Sequence, residues 1–326
     1  MQTPDSTAPV VAITRAVPGA PNVPGADVRV LGVDAPDRRD VLNFVRDARV
    51  LVSMFSDRVD AELLDAAGSQ LRGVCNFAVG YNNVDVDACR QRGVIVTNTP
   101  NAVTEGTADM AWLLALAAAR RLIEADRFAR TGQWIEHGPL GMGEFNGLDF
   151  TGRTLLIVGA GRIGLAVARR AQGWGMRTLY VSRSRKWEFE LAPLAARRVS
   201  LEEGLPEADL VSIHTPLTAE TRHLIGPVQL GLMKPTAILV NTSRGPVVDE
   251  AALASALGER RIFAAGLDVF EEEPRIHPLL RELDNVVLSP HIGSAERRYR
   301  EEMTAMVCRN AAAILAGEPP PNRVDG

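Results

Sequence analysis

The stretch LLIVGAGRIGLAVARRAQ, residues 155–172, decides the fold. Four apolar residues, 155–158, read as a strand. Gly159, Gly161 and Gly164 then punctuate a turn, and a helix runs over 165–172. In a strand–turn–helix of this spacing the first glycine makes the tight turn. The second lets backbone approach a pyrophosphate, and the third lets helix and strand pack closely. The helix N-terminus faces the anion. Glycine spacing alone is weak, but with strand before and helix after it points to a bound dinucleotide.

The same alternation extends both ways from this turn. Downstream, apolar runs at 178–181, 210–214, 237–240, 262–267 and 286–288 bring the expected strands to six, the size of a nucleotide-binding sheet. Upstream, runs at 10–14, 28–31, 50–54, 73–77 and 94–97 alternate with helical patterns near 37–46, 59–67 and 86–92. Alternating strands and helices predict parallel sheets, hence an α/β chain of two doubly wound domains with the default site in the cleft between them. Between the two series, 104–131 reads as one long Ala/Leu-rich helix with Thr104 as N-cap and Glu105 and Asp109 in its first turns. An irregular stretch, 132–146, follows. A partly amphipathic helix over about 295–315 is the last, and the proline-rich tail reads as the end of structure.

At 326 residues the chain is long enough for about two cores. Its net charge of −4 argues against nucleic acid as a main partner, while leaving room for a local basic pocket. No run reaches the roughly 18–20 apolar residues that span a bilayer, and the first residues, with Pro4 and Asp5, carry no signal-peptide pattern. Cys75, Cys89 and Cys308 are odd in number and widely spaced, each in an element that reads as buried. They fit reduced thiols in a cytoplasmic protein. No His/Cys spacing suggests a metal. Trp112, Trp134, Trp174 and Trp187 read as packing residues, and His223 and His277 as surface.

Arg244, Glu273 and His291 each follow a predicted strand closely. Ligands of open parallel sheets bind beyond the carboxyl ends of strands. A cation, a carboxylate and an imidazole there suggest hydride transfer to or from a small 2-oxo or 2-hydroxy acid. Where a dinucleotide site selective for NAD carries an acid after the second strand, this chain has Ser182, then Arg183, Ser184, Arg185 and Lys186. These residues attract a 2′-phosphate, so NADPH is expected over NADH, which remains possible.

Several further motifs occur in a fixed order: VGYNNVD (79–85), GVIVTNTP (93–100), TADM (107–110), ADLVSIHTPLT (208–218), MKPTAILVNTSRG (233–245), GLDVFEEEP (266–274) and SPHIGSA (289–295). Over about 50–315 the chain resembles the D-isomer-specific 2-hydroxyacid dehydrogenases, and is most similar to their glyoxylate/hydroxypyruvate reductase branch. The resemblance implies a flavodoxin-like substrate-binding domain (1–103 plus 296–326) and a Rossmann cofactor domain (104–295). It implies that Arg244 binds the substrate carboxylate and polarises the 2-oxo group, and that His291 is the acid/base. Glu273, the acid next to Pro274, would hold His291 in preference to Glu271 or Glu272. Val79 and Gly80 would offer amides to the carboxylate, and Met54 with Phe55 would wall the substrate pocket. Thr107, Arg162, Ile163, His214, Pro216, Thr242, Asp268, Gly293 and Ser294 would line the cofactor, with Ser294 also near the substrate. His137 stands where related reductases often carry an aromatic that reaches a neighbouring subunit. A homodimer through the 104–131 helix and the following arm is expected. Dehydrogenation of another D-2-hydroxy acid (3-phosphoglycerate, D-lactate or a phenyl-substituted acid) remains open, as does a nicotinamide-sensing binding protein on the same fold.

Overall fold

The structure, a computed structural model, describes residues 8–33 and 36–324, so Pro4 and Asp5 lie outside the described residues. The chain divides into two compact units, one of Met1–Val103 with Ala295–Gly326 and one of Thr104–Ser294.

The first unit contains β1 (Val10–Ile13), β2 (Asp27–Val30), α1 (Arg38–Phe44), β3 (Ala48–Met54), α2 (Ala61–Ala67), β4 (Gly73–Phe77), α3 (Val86–Gln91) and β5 (Ile95–Thr97). The chain's last helix, α13 (Arg297–Ala316), joins it. Its five strands are parallel in the order β2-β1-β3-β4-β5, a flavodoxin-like arrangement. Successive residues of one strand feed opposite cores. Leu51 and Val74 pack with α1–α3, whereas Val50, Val52 and Cys75 pack with Val307 and Ala311 of α13. Aspartates 37, 60 and 85 cap α1, α2 and α3 by accepting backbone N–H groups of the first turn. The tail does not simply end structure. Val324 N–H donates to Val96 O at 2.8 Å and Asn98 N–H to Asn322 O at 3.2 Å, so the tail covers the free edge of β5.

The second unit begins with α4 (Thr104–Ala119), α5 (Leu122–Arg130) and α6 (Gln133–His137). Then follow β6 (Thr154–Val158), α7 (Arg162–Ala171), β7 (Arg177–Val181), α8 (Trp187–Glu190), β8 (Arg197–Arg198), α9 (Leu201–Gly204), β9 (Leu210–Ile213), α10 (Pro227–Leu232), β10 (Ile238–Asn241), α11 (Glu250–Gly258), β11 (Ala264–Leu267), α12 (Pro278–Glu282) and β12 (Val286–Leu288). The parallel sheet runs β12-β11-β10-β9-β6-β7-β8, the doubly wound order around β6. Leu155 and Ile157 join a core with α4 and α7, while Leu156 and Val158 join one with Leu230 and Leu253 of α10 and α11. With both faces covered, β6 is apolar throughout.

Four expectations are corrected here. The sheet has seven strands among the described residues, because β8 is two exposed arginines with no apolar run to betray it. The 104–131 segment is two helices. Arg121 takes a left-handed φ of 52°, and Leu148 N–H captures the Ala119 carbonyl at 2.9 Å where the helix would have continued. Thr104 lies inside the first turn of α4 and is not its cap, and the 132–146 stretch contains α6.

Candidate active site

The three glycines of the turn after β6 meet three different surroundings. Gly159 has φ 102°, and a Cβ there would stand 2.7 Å from the His214 carbonyl carbon and the Thr215 nitrogen at the end of β9. A Cβ on Gly164 would stand 2.5 Å from the Gly159 oxygen, so α7 lies directly against the turn. A Cβ on Gly161 would meet nothing within 4 Å. That opening, beside the first amides of α7 at Arg162 and Ile163, is a cradle for an anion. His214 Nδ1 and Thr215 Oγ1, in residues that touch Gly159, and Thr242 Oγ1, beyond β10, are buried without a hydrogen-bond partner. Orphaned polar atoms beside an open amide cradle fit a dinucleotide.

His214 bonds Ser212 Oγ through Nε2 at 2.8 Å, and burial pulls its pKa down to about 3. Burial therefore disfavours its imidazolium form. Pro216 is exposed beyond it, and its carbonyl accepts Thr221 Oγ1.

The loop after β7 departs from expectation at Arg185. Its guanidinium is bound by Glu190 and lies 3.9 Å over the Trp187 ring. Arg183 is exposed, and its guanidinium makes no hydrogen bond or ion pair among the described residues. Arg198, which the sequence did not single out, donates to Ser182 O at 3.1 and 2.9 Å and to Arg183 O at 2.9 Å, bracing the loop from β8.

Beyond β10, Asn241 Nδ2 donates to Arg244 O at 3.0 Å and Asn241 Oδ1 accepts from Ser243, which folds the end of the strand into a fixed turn. Burial lowers the Arg244 pKa, and the charge of Glu273 acts in the opposite sense. Gly245 permits the closest approach in the unit: a Cβ there would fall 1.9 Å from the carbonyl carbon and oxygen of Phe270. The loops that carry Arg244 and Glu273 are therefore in backbone contact.

Beyond β11 and β12, Glu273 Oε2 meets His291 Nδ1 at 2.7 Å, and Glu273 Oε1 accepts Phe270 N–H at 3.0 Å. Burial alone would raise the Glu273 pKa. The hydrogen bond and charge of His291, the Phe270 amide and Arg244 outweigh it and hold the carboxyl below the ordinary glutamate range. Glu271 instead binds His223 at 3.1 Å, and Glu272 pairs with Arg275. His291 sits in the left-handed region at φ 54°. Its loop is held by Asp268, 1 % exposed, which accepts Ser289 Oγ at 2.6 Å, Ile292 N–H at 2.8 Å and Gly293 N–H at 2.7 Å. Thr107 borders the same turn, its methyl 3.7 Å from where a Gly293 Cβ would stand, and Ser294 follows, half-buried.

In the first unit, Met54 is buried at the end of β3 and Phe55 is exposed. Beyond β4, the carbonyls of Ala78, Val79 and Gly80 accept from Thr99 N–H, Asn98 Nδ2 and Asn76 Nδ2 at 2.9, 2.8 and 2.8 Å. The amides of Val79 and Gly80 donate to no protein group among the described residues. His137 is paired with Glu144 at 2.8 Å within its own arm.

Other expectations need correction. Trp112 is buried and stacks on Trp174, but Trp134 and Trp187 are 53 % and 56 % exposed and are not core residues. His277 is half-buried, with its amide bound to Glu250, and is not a surface residue. Cys75 and Cys89 are buried thiols pushed up to about 12 and 11, while Cys308 is only partly buried. Among the described residues no cluster suited to a metal occurs, and no helix is long and apolar enough to cross a membrane.

A doubly wound sheet with a glycine cradle at the end of β6 and an Arg, Glu and His beyond β10, β11 and β12 defines a nicotinamide-dependent oxidoreductase. The family model for the D-isomer specific 2-hydroxyacid dehydrogenase, NAD binding domain, matches residues 112–293. A protein of Thermococcus onnurineus named glyoxylate reductase is 54 % identical over 292 residues, covering 88 % of this chain and 86 % of its own. A crystal structure from Thermus thermophilus superposes with a TM-score of 0.88 at 43 % identity, over 97 % of this chain and 100 % of that one. An NADPH-dependent glyoxylate/hydroxypyruvate reductase of Sinorhizobium meliloti, solved with NADP and malonate, gives 0.84 at 32 % identity, over 98 % and 97 %. The chain belongs to the D-isomer-specific 2-hydroxyacid dehydrogenase family, and is an NAD(P)-dependent enzyme of that family.

Proposed function

We propose that this chain is an NADPH-preferring reductase that converts glyoxylate and hydroxypyruvate to the corresponding 2-hydroxy acids, the latter in D configuration. The observation that carries the reading is the 2.7 Å contact of Glu273 with His291, on the strand ends next to a half-buried Arg244. The cofactor supplies a hydride to the 2-oxo carbon. Arg244 grips the substrate carboxylate and polarises the carbonyl with its planar donors. Nε2 of His291 delivers a proton to the carbonyl oxygen, and takes it back in the oxidative direction. Glu273, on Nδ1, fixes the orientation of the ring. The unengaged amides of Val79 and Gly80 in the first unit are donors suited to a carboxylate. Met54 limits the size of the substrate.

Gly159–Gly164 would hold the cofactor, with Thr107, Thr242, His214, Pro216, Gly293 and Ser294 lining it. Ser182 and Arg183 would bind a 2′-phosphate, while Arg185 is stacked on Trp187. The apolar side chains on α4–α6 and the arm after them, with Ile135 at 89 % and Met142 at 95 % exposure, support a homodimer through the cofactor unit. Reduced thiols fit the cytoplasm.

Initial rates with NADPH and NADH over glyoxylate, hydroxypyruvate, pyruvate and phenylpyruvate test the reading. Glyoxylate and hydroxypyruvate with NADPH are expected to give the highest kcat/KM. Preference for phenylpyruvate or NADH would overturn it. His291→Ala and Arg244→Ala should each lose at least about 10²-fold in kcat/KM with the fold intact.

A further inference from the structure

Glu250 opens α11 and is 9 % exposed, and no Lys or Arg pairs with it among the described residues. Its carboxylate is occupied by backbone instead. Oε2 accepts Glu271 N–H at 2.8 Å and Oε1 accepts His277 N–H at 2.6 Å. The Glu250 amide donates back to Glu271 Oε1 at 2.8 Å, so the first contact is reciprocal. The 271–277 segment is thus tied at two points to the start of α11, and Glu273 lies between them. On its other side this segment abuts Gly245.

A buried carboxylate without a cation is costly unless its lone pairs are taken by donors, and charged acceptors make bonds roughly twice as strong as neutral ones. A glutamine at this position offers one acceptor oxygen and keeps one of the two amide bonds. What the clamp fixes is the position from which Glu273 reaches His291.

We propose that Glu250 is a positioning residue: it locks the 271–277 segment so that Glu273 meets His291, and it acts on the reaction through that pair alone. The proposal rests on the reading of Glu273 and His291 as catalytic. If that reading is right and the clamp works as described, removing Glu250 costs turnover more than ligand binding, because the tied segment carries Glu273 and the glycine cradle makes no hydrogen bond to it among the described residues.

The test is a double-mutant cycle of Glu250→Ala and Glu273→Ala, with His291→Ala alongside, measured as kcat and KM for glyoxylate with NADPH and NADH. Glu250→Ala should lower kcat about tenfold or more, as expected for a misplaced catalytic group, with both KM values within about threefold of wild type. In the Glu273→Ala background the same change should alter kcat by less than about twofold. Glu250→Gln should fall between wild type and Glu250→Ala, and takes the place of Glu250→Ala in the cycle if that variant does not fold. An inactive His291→Ala with wild-type kcat in the Glu250 variants would overturn the positioning role and leave the catalytic pair standing. Equal losses in both backgrounds would also overturn it, because Glu250 would then act on stability or on other groups. A fully active His291→Ala would overturn the underlying reading itself.

Discussion

Gly161→Ala separates a glycine kept for the ligand from one kept for the fold. Gly161 has φ −92° and ψ −167°, a conformation open to alanine, and an added Cβ meets no protein atom within 4 Å. The folded state therefore gains no clash, and the unfolded chain loses freedom, worth about 0.4–1 kcal/mol of stability. For a domain of this size that is roughly 1–4 °C in Tm. The same Cβ fills the space through which the turn reaches a pyrophosphate. Losing one hydrogen bond to a charged group costs about 1.5–3 kcal/mol, or roughly 10–150-fold in cofactor affinity. Gly164→Ala is the counterpart, because its Cβ would lie 2.5 Å from the Gly159 oxygen and 2.8 Å from Ile157 Cγ2. Overpacking of that kind costs about 1–3 kcal/mol of stability. The assay is a pair of measurements on each variant: cofactor KM from initial rates at saturating glyoxylate, and Tm by thermal denaturation. Gly161→Ala should raise the KM at least about tenfold with Tm unchanged or higher, and Gly164→Ala should lower Tm by several degrees. A Gly161→Ala enzyme with wild-type cofactor KM would refute the placement of the pyrophosphate at this turn.

Gly245→Ala puts a Cβ 1.9 Å from Phe270 backbone, about 1.5 Å short of ordinary contact, so the Arg244 and Glu273 loops must separate. A displacement of about 1 Å costs on the order of 10² in rate, and kcat/KM near wild type would show that these two loops are not coupled. Arg183→Ala should raise the KM for NADPH well beyond that for NADH, and Arg185→Ala, already engaged by Glu190, should do so less. Equal effects of Arg183→Ala on both cofactors would remove the 2′-phosphate from this loop. Glu273 is held below the ordinary value of 4.5, so its share of stability is present above that pH and is lost as pH falls through the depressed value. The Tm difference between wild type and Glu273→Gln should therefore shrink below about pH 4.5, and a difference constant from pH 7 to 3 would contradict the assigned ionisation.

What was legible in the sequence follows from what makes each element. β3, β4 and β6 are buried on both faces and announce themselves as apolar runs. β8 is held by register alone, pairing Leu179 with Arg197 and Tyr180 with Arg198, and two exposed arginines carry no such signal. The helical period of 104–131 runs through Arg120 and Arg121 without a glycine or proline. What breaks the helix is Leu148, far along the chain, taking the Ala119 carbonyl. The preference for Glu273 among three adjacent glutamates came from motif register, and the contact with His291 is what distinguishes it in space. The engagement of Arg185 by Glu190 and the brace from Arg198 were not legible, because both depend on where short surface turns place side chains.

The strand ends hold Arg244, Glu273 and His291 in register although the segments carrying them are irregular. Each is fixed through its backbone by a polar side chain from within the second unit. Asn241 holds the Arg244 carbonyl, Asp268 gathers three donors from the His291 loop, and Glu250 ties both ends of the Glu273 segment. His291 shows why such anchoring is needed. A left-handed backbone at a non-glycine residue costs on the order of 1 kcal/mol or more, and it persists only where the surroundings over-determine it. Three hydrogen bonds to a carboxylate that is 1 % exposed do so, each worth about 1.5–3 kcal/mol. Asp268 spends both oxygens on this loop, so its charge serves the geometry of His291 from inside the protein.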